Sequence, residues 1–241
     1  MPPAGAPTDP AAAVVRAARV VAALGLVTAF GHVSARAAGQ MWITPAADLA
    51  DVAAADVVAV PVDAHALPSA APPESWLHLA VYRRRPDVGG IARGQPPSAF
   101  AAGAVAAALP PLHGQAAWLG RRLPVHPGAR LLRSPDLAEA AATSLGEEDA
   151  LVLRGNGAVA TGAAPGVAVA RLHLVEVACR VWLQARAVGE PHPLDDDDVA
   201  AWRAAAPPLL DRLWRHLARG AEAAGPGRPG TRPVPAQEAR P

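Results

Sequence analysis

Residues 150–189 limit the possible folds of this chain more than any other stretch. "ALVLRGNGAVATG" (150–162) is two short apolar runs around a glycine-flanked asparagine, and "APGVAVARLHLVEVACRVWLQARAVG" (164–189) follows almost at once. The first pattern predicts a strand, a tight turn and a second strand; the second predicts one long, nearly all-apolar helix. A helix apolar around most of its circumference must be covered on several sides, so it is expected to be central. Asn156, in the turn, is the only asparagine of the chain.

The preceding segments supply layers to cover that helix. "DPAAAVVRAARVVAALGLV" predicts a helix with Asp9 as N-cap, Pro10 at its first position and Gly25 at its end. "FGHVSARAAGQMWITP" predicts two short strands around Ala38-Gly39-Gln40, and "DVVAVPVD" a third, with Pro61 marking a sheet edge. "PPESWLHLAVYRRRPDV" has Trp76, Leu77, Ala80 and Val81 at helical spacing, and its arginine run Arg83–Arg85 reads as solvated charge at a helix C-terminus. "GGIARGQ" predicts a strand, "PPSAFAAGAVAAAL" a helix, "RLPVH" a strand, and "SPDLAEAAATSL" a helix capped by Ser134. This order predicts an α/β protein with helices over a largely antiparallel sheet. Residues 1–9 and 221–241 read as Pro-rich disordered tails, and 189–220 as a helical extension opening on four aspartates, Asp195–Asp198, that cap and solvate a helix start.

Composition removes several classes of function. All 22 basic side chains are arginine, so Schiff-base and pyridoxal phosphate chemistry, which need a lysine amine, are excluded. A net charge of +1 argues against nucleic acid as a partner. The single cysteine, Cys179, reads as a small buried side chain. The N-terminus lacks a signal-peptide pattern and no apolar run is long enough for a membrane span, so a cytoplasmic protein with no membrane partner is expected. G-x-G-x-x-G after a strand, G-x-x-x-x-G-K-[ST] and G-x-S-x-G are all absent.

Six segments in order, "GLVTAFGHVSAR" (25–36), "MWITP" (41–45), "ADVVAVPVD", "PPESWLHLAVYRRRPDVGGI" (72–91), "PPLHGQAAWLG" (110–120) and "ALVLRGNGAVATG", resemble the class II aldolase/adducin family over residues 10–188. The resemblance implies a three-layer α/β/α domain with a mostly antiparallel central sheet and helices on both faces. It implies a lyase or epimerase that assembles as a homotetramer. It also implies a divalent metal, usually zinc, on three histidines, with a glutamate as acid/base. Carried over residue by residue, the glutamate falls on Glu74, and the three ligand positions fall on Arg93, Gln95 and Asn156. The carboxylate is kept and every metal-binding imidazole is gone, so no cofactor is expected.

The replacements describe a different site. A guanidinium has no lone pair to give a metal, and a carboxamide is a poor ligand for zinc. One carboxylate, one guanidinium and two carboxamides make an anion-accepting pocket for a small molecule. Arg93 would stabilise an enolate or carboxylate, Glu74 transfer the proton, and Gln95 and Asn156 orient oxygens. The expected activity is a lyase or isomerase, with decarboxylation, dehydration and retro-aldol cleavage open. His32, Thr28, Thr44 and His113 are further candidates for contact with substrate. "ITPAA" and "PPE" lack hydroxyls that sugar-phosphate members carry, which favours a carboxylate substrate. Two other readings stay open: a non-catalytic binding or scaffold protein of the adducin type, and a relocated metal site using His32, His113 and Glu74. Trp76, Trp118, His78, Arg154 and His173 read as structural, and His126 and His192 as exposed.

Overall fold

A computed structural model describes residues 9–224 of the chain; of the tails predicted at 1–9 and 221–241, residues 1–8 and 225–241 lie outside them. One sheet runs in the order β3-β2-β1-β4-β8-β7-β6-β5. Its strands are β1 (His32–Ala37), β2 (Gln40–Ile43), β3 (Val58–Pro61), β4 (Gly90–Gly94), β5 (Ala108–Leu109), β6 (Leu123–His126), β7 (Ala150–Leu153) and β8 (Gly157–Gly162). All neighbours are antiparallel except β6 and β7, which are parallel. Pro61 ends the edge strand β3, where a missing N–H costs no ladder bond. The turn between β1 and β2 uses Ala38 and Gly39, both at positive φ, as a two-residue hairpin requires.

Seven helices cover both faces: α1 (Pro10–Ala23), α2 (Ser75–Arg84), α3 (Pro97–Val105), α4 (Pro135–Leu145), α5 (Pro165–Val188), α6 (Asp196–Ala204) and α7 (Ala206–Ala224). Strand alternation divides the core in two. Val33, Ala92, Val152, Ala158 and Ala160 face α1, α3, α5 and α7. Met41, Ile43, Ile91, Leu151 and Val159 face the other way, in one core with α2 and α4. The first face is built from small side chains because α5 comes very close to it: a Cβ on Gly90 would meet the Pro165 nitrogen at 2.2 Å. The three-layer α/β/α architecture follows, with α5 central.

Local signals act as read at several points. Asp9 accepts from the Ala11 N–H at 2.9 Å, and Asp195 from the Asp198 N–H at 2.8 Å, which caps α6. Other expectations need correction. Ser134 precedes α4 without a side-chain capping bond. The alanine run after Phe100 stops being helical at Val105, because Ala108–Leu109 pairs with β6. A 3-10 turn, Gly114–Leu119, has no counterpart in the sequence pattern. The last helix continues through Ala224, past the tail boundary at 221, and Leu210, Leu217 and Ala218 pack into the core with α1 and α5. His126 is buried and bonded to Ser144 at 2.9 Å, not exposed, whereas His192 is exposed. Arg83 and Arg84 are exposed as predicted, but Arg85 is buried and paired with Asp87.

α3 is capped from another helix. Both Glu176 carboxylate oxygens on α5 accept from Ser98, from its N–H at 2.8 Å and its hydroxyl at 2.7 Å. This clamp pins the chain just after Gln95. A Glu176→Ala variant is expected to lose about 1–2 kcal/mol, the usual worth of a helix cap or a charged hydrogen bond. Calorimetry should show a lower unfolding temperature, with faster hydrogen exchange confined to the first turn of α3; unchanged exchange there would contradict the clamp.

Candidate functional site

The sheet brings the predicted residues to one end of β1 and β4. His32 and Arg93 are direct partners across the two strands, and strand alternation puts both on the face covered by α2 and α4. Glu74 stands at the N-terminus of α2, and His78 one turn further on. The β7–β8 turn delivers Asn156. Its N–H donates to the Leu153 carbonyl at 2.8 Å, with Gly155 and Gly157 at positive φ on either side. A Cβ at Gly157 would come within 2.1 Å of the Gly94 carbonyl, so glycine lets the turn press against β4.

Arg93 and Asn156 are in contact. Arg93 Nη2 donates to the Asn156 Oδ1 at 2.5 Å and to its backbone carbonyl at 3.1 Å. Only 5% of Arg93 is exposed. Its Nε and Nη1 have no acceptor among the described residues, and neither is sealed from solvent. Burial draws the guanidinium below its ordinary pKa and the nearby Glu74 charge opposes this; an arginine remains cationic under such shifts. The lone asparagine thus fixes one nitrogen of a buried cation and leaves the others without an acceptor among the described residues.

Glu74 is held by a partner that the sequence does not reveal. Arg133 Nε lies 2.8 Å from Glu74 Oε1. Burial pushes the carboxyl up, but the Arg133 hydrogen bond, a backbone N–H, the Arg133 charge and, in the acid range where His32 is protonated, the His32 charge together bring it below the usual carboxylate range. Glu74 is therefore an ionised base at neutral pH. His32 is buried, and desolvation with the Arg93 charge lowers its pKa to about 4 despite Glu74, so it is a neutral imidazole there.

The remaining candidates separate. Gln95 Oε1 is buried without a protein partner among the described residues, and the Gln95 N–H holds the Leu26 carbonyl at 2.7 Å. Thr44 is buried with its hydroxyl accepting from the Val33 N–H at 3.2 Å, so it fastens β1. Thr28 is exposed in the loop after α1. His113 follows β5, at the sheet edge remote from β1, so the set His32, Glu74 and His113 does not come together within the chain. Among the described residues no three His, Cys, Asp or Glu side chains are grouped to hold a metal ion. The positions of Arg93, Gln95 and Asn156 do not fit one either. The guanidinium repels a cation, and its Nη2 occupies the Asn156 oxygen. Trp118 and Cys179 are core residues, and Trp76 packs at the edge of the α2–α4 core. No helix is long and apolar enough to cross a membrane among the described residues.

Sequence and structure comparisons agree with this architecture. The family model described as "Class II Aldolase and Adducin N-terminal domain" matches residues 12–183. A 3,4-dihydroxyphthalate decarboxylase of Terrabacter sp. (strain DBF63) is 32% identical over 226 residues, spanning 84% of this chain and 93% of that protein. Its namesake from Arthrobacter keyseri is 28% identical over 209 residues, spanning 78% and 84%. Among solved structures, L-fuculose-1-phosphate aldolase from Thermus thermophilus has a TM-score of 0.66 at 28% identity, covering 73% of this chain and 94% of that one. Another L-fuculose 1-phosphate aldolase reaches 0.76 at 22% identity, over 83% and 96%, and at that identity shows the fold alone.

Proposed function

The chain belongs to the class II aldolase and adducin family, and from that premise we propose that it is a carbon–carbon lyase of the decarboxylating kind. Its substrate is a small hydroxy- or oxo-carboxylate, bound without a metal at the positions of Arg93, Gln95 and Asn156. One observation carries the reading: a buried guanidinium, fixed at one nitrogen by Asn156 and without an acceptor at the others among the described residues, lies within electrostatic range of an ionised carboxylate. A fork of N–H donors in a nearly dry site suits a carboxylate or enolate oxygen. Phosphate finds less support, because Thr44 is turned to the backbone and Ala46 and Ala47 follow where hydroxyls would serve.

The steps balance around Glu74. Its carboxylate takes the hydroxyl proton of an enolic or phenolic substrate and returns it to the carbon bearing the carboxylate. That C–C bond then breaks, carbon dioxide leaves, and the electron pair comes to rest on the oxygen as an oxyanion beside Arg93. Water protonates the oxyanion. Gln95 and Asn156 orient the groups, and a small anionic molecule is the partner the site needs.

Release of carbon dioxide from 3,4-dihydroxyphthalate and from simpler hydroxybenzoates, in the presence of a chelator, tests this reading. Glu74→Gln is expected to lower the rate by about 10²–10⁴, the usual share of a positioned base. Because Glu74 is held below the usual carboxylate range, activity should persist as pH falls through that range and fail only beneath it. An active Glu74→Gln protein, or activity abolished by the chelator and restored by zinc, would contradict the mechanism. No turnover of any acid, with tight binding of one, would favour the binding-protein alternative.

A further inference from the structure

Between them, β1 and α2 bury a row of polar side chains. Tyr82 is buried, and its hydroxyl has one partner among the described residues, Ser34 Oγ at 2.8 Å. Ser34 Oγ also lies 2.8 Å from His78 Nδ1. Among the described residues, His78 Nε2 and His32 Nδ1 are both buried without a protein partner. The two rings meet edge to face with centroids 6.2 Å apart.

Proton positions follow by elimination. Burial raises the Tyr82 phenol above its ordinary range despite Ser34 and Arg36, so it keeps its proton. A buried hydroxyl donates where it can, and Ser34 Oγ is the acceptor in reach. Ser34 then has one proton left, which goes to His78 Nδ1. Burial, with the nearby Arg93 charge, keeps His78 neutral. A neutral imidazole accepting at Nδ1 carries its proton on Nε2. That donor needs an acceptor, and the ring that meets His78 edge to face offers one: His32 Nδ1, likewise buried and unpartnered among the described residues. His32, accepting at Nδ1, carries its own proton on Nε2. This nitrogen has no protein partner among the described residues and is not sealed, and His32 stands in register with Arg93.

We propose that His32 is a catalytic residue that presents a preset Nε2–H to the oxygen on which charge develops, and that Tyr82, Ser34 and His78 are positioning residues that set its tautomer. The oxygen's identity rests on the lyase reading above; the tautomers do not. A neutral imidazole serves here by a hydrogen bond that strengthens as the oxyanion forms, with no bond broken on the protein. It complements Arg93: two donors from paired strands converge on one charge.

Protein labelled with ¹⁵N in histidine allows the test by long-range proton–nitrogen NMR. His78 and His32 should each be neutral with the proton on Nε2, and titration with phthalate, a non-reacting dicarboxylate, should move the His32 Nε2–H signal. In Ser34→Ala, both tautomers should become mixed, and kcat for 3,4-dihydroxyphthalate should fall about 10–100-fold with KM nearly unchanged, as loss of an outer support does. Tyr82→Phe keeps the Ser34–His78 bond but frees its direction, so it should mix the His78 tautomers in a protein that still folds. A proton on His78 Nδ1, a His32 signal indifferent to phthalate, or pure tautomers in both variants would overturn the proposal. Correct tautomers and a phthalate response without carbon dioxide release would instead remove the lyase reading and leave the His32 donor in place.

Discussion

An Arg93→Met protein is expected to fold and to lose about 10²–10³ in kcat/KM, the range measured when a donor to a developing oxyanion is removed. Methionine roughly fills the volume and removes the charge. The cost to catalysis is then about 3–4 kcal/mol of transition-state stabilisation. Stability should move much less, because two effects oppose. Asn156 Oδ1, on a half-buried side chain, loses its donor, at no more than about 1–3 kcal/mol, while the burial of a cation that is only 5% exposed is relieved. Arg93→Lys should not restore activity. An ammonium is a point charge and cannot hold Asn156 and grip a substrate in fork geometry together. Steady-state kinetics with chemical denaturation separates the two quantities. Full activity in Arg93→Met would remove the guanidinium from the mechanism.

The legible parts of this protein are those fixed by local rules. Gly155 and Gly157 announce a turn because only positive φ is available there, and so locate Asn156. Two-residue alternation places His32 and Ser34 on one strand face, and four-residue spacing places His78 and Tyr82 on one helix face. Both signals are present in the sequence, yet His78 reads as structural, since periodicity gives a face and not what that face meets. Arg133 is out of reach, because its contact with Glu74 joins positions 59 residues apart through a loop. Arg85 misleads for a similar reason: three consecutive arginines look alike until the acceptors on other segments are known, and only the third turns inward to Asp87, Asp149 and the Gly146 and Glu148 carbonyls.

Asp149 is the residue whose loss should cost the fold most. It sits just before β7 with its side chain 12% exposed, and three arginines converge on it. Arg171 from α5 lies at 3.0 Å, Arg203 from α6 at 3.5 Å and Arg85 from the end of α2 at 3.8 Å. The three cations are not equivalent. Arg85 keeps Asp87, and Arg203 is one-third exposed, so water can screen it. Arg171 is nearly buried; desolvation pulls its pKa down, and Asp149 is the first charge opposing that pull. Asp149→Asn therefore leaves one buried guanidinium without its counter-charge, a change that costs about 3–5 kcal/mol when a buried pair is broken from one side. For a chain of this size that is roughly 6–20 °C in unfolding temperature. Replacing Arg171 by methionine in the same protein should recover part of the loss, because no unpaired buried charge then remains. The remainder should persist, since the Arg171 bonds to the Trp118 and Thr161 carbonyls go with it and leave those acceptors open. A single variant that melts within about 2 °C of the parent, less than 1 kcal/mol on this scale, would show that the network is solvated and that α5 and α6 are held by packing alone.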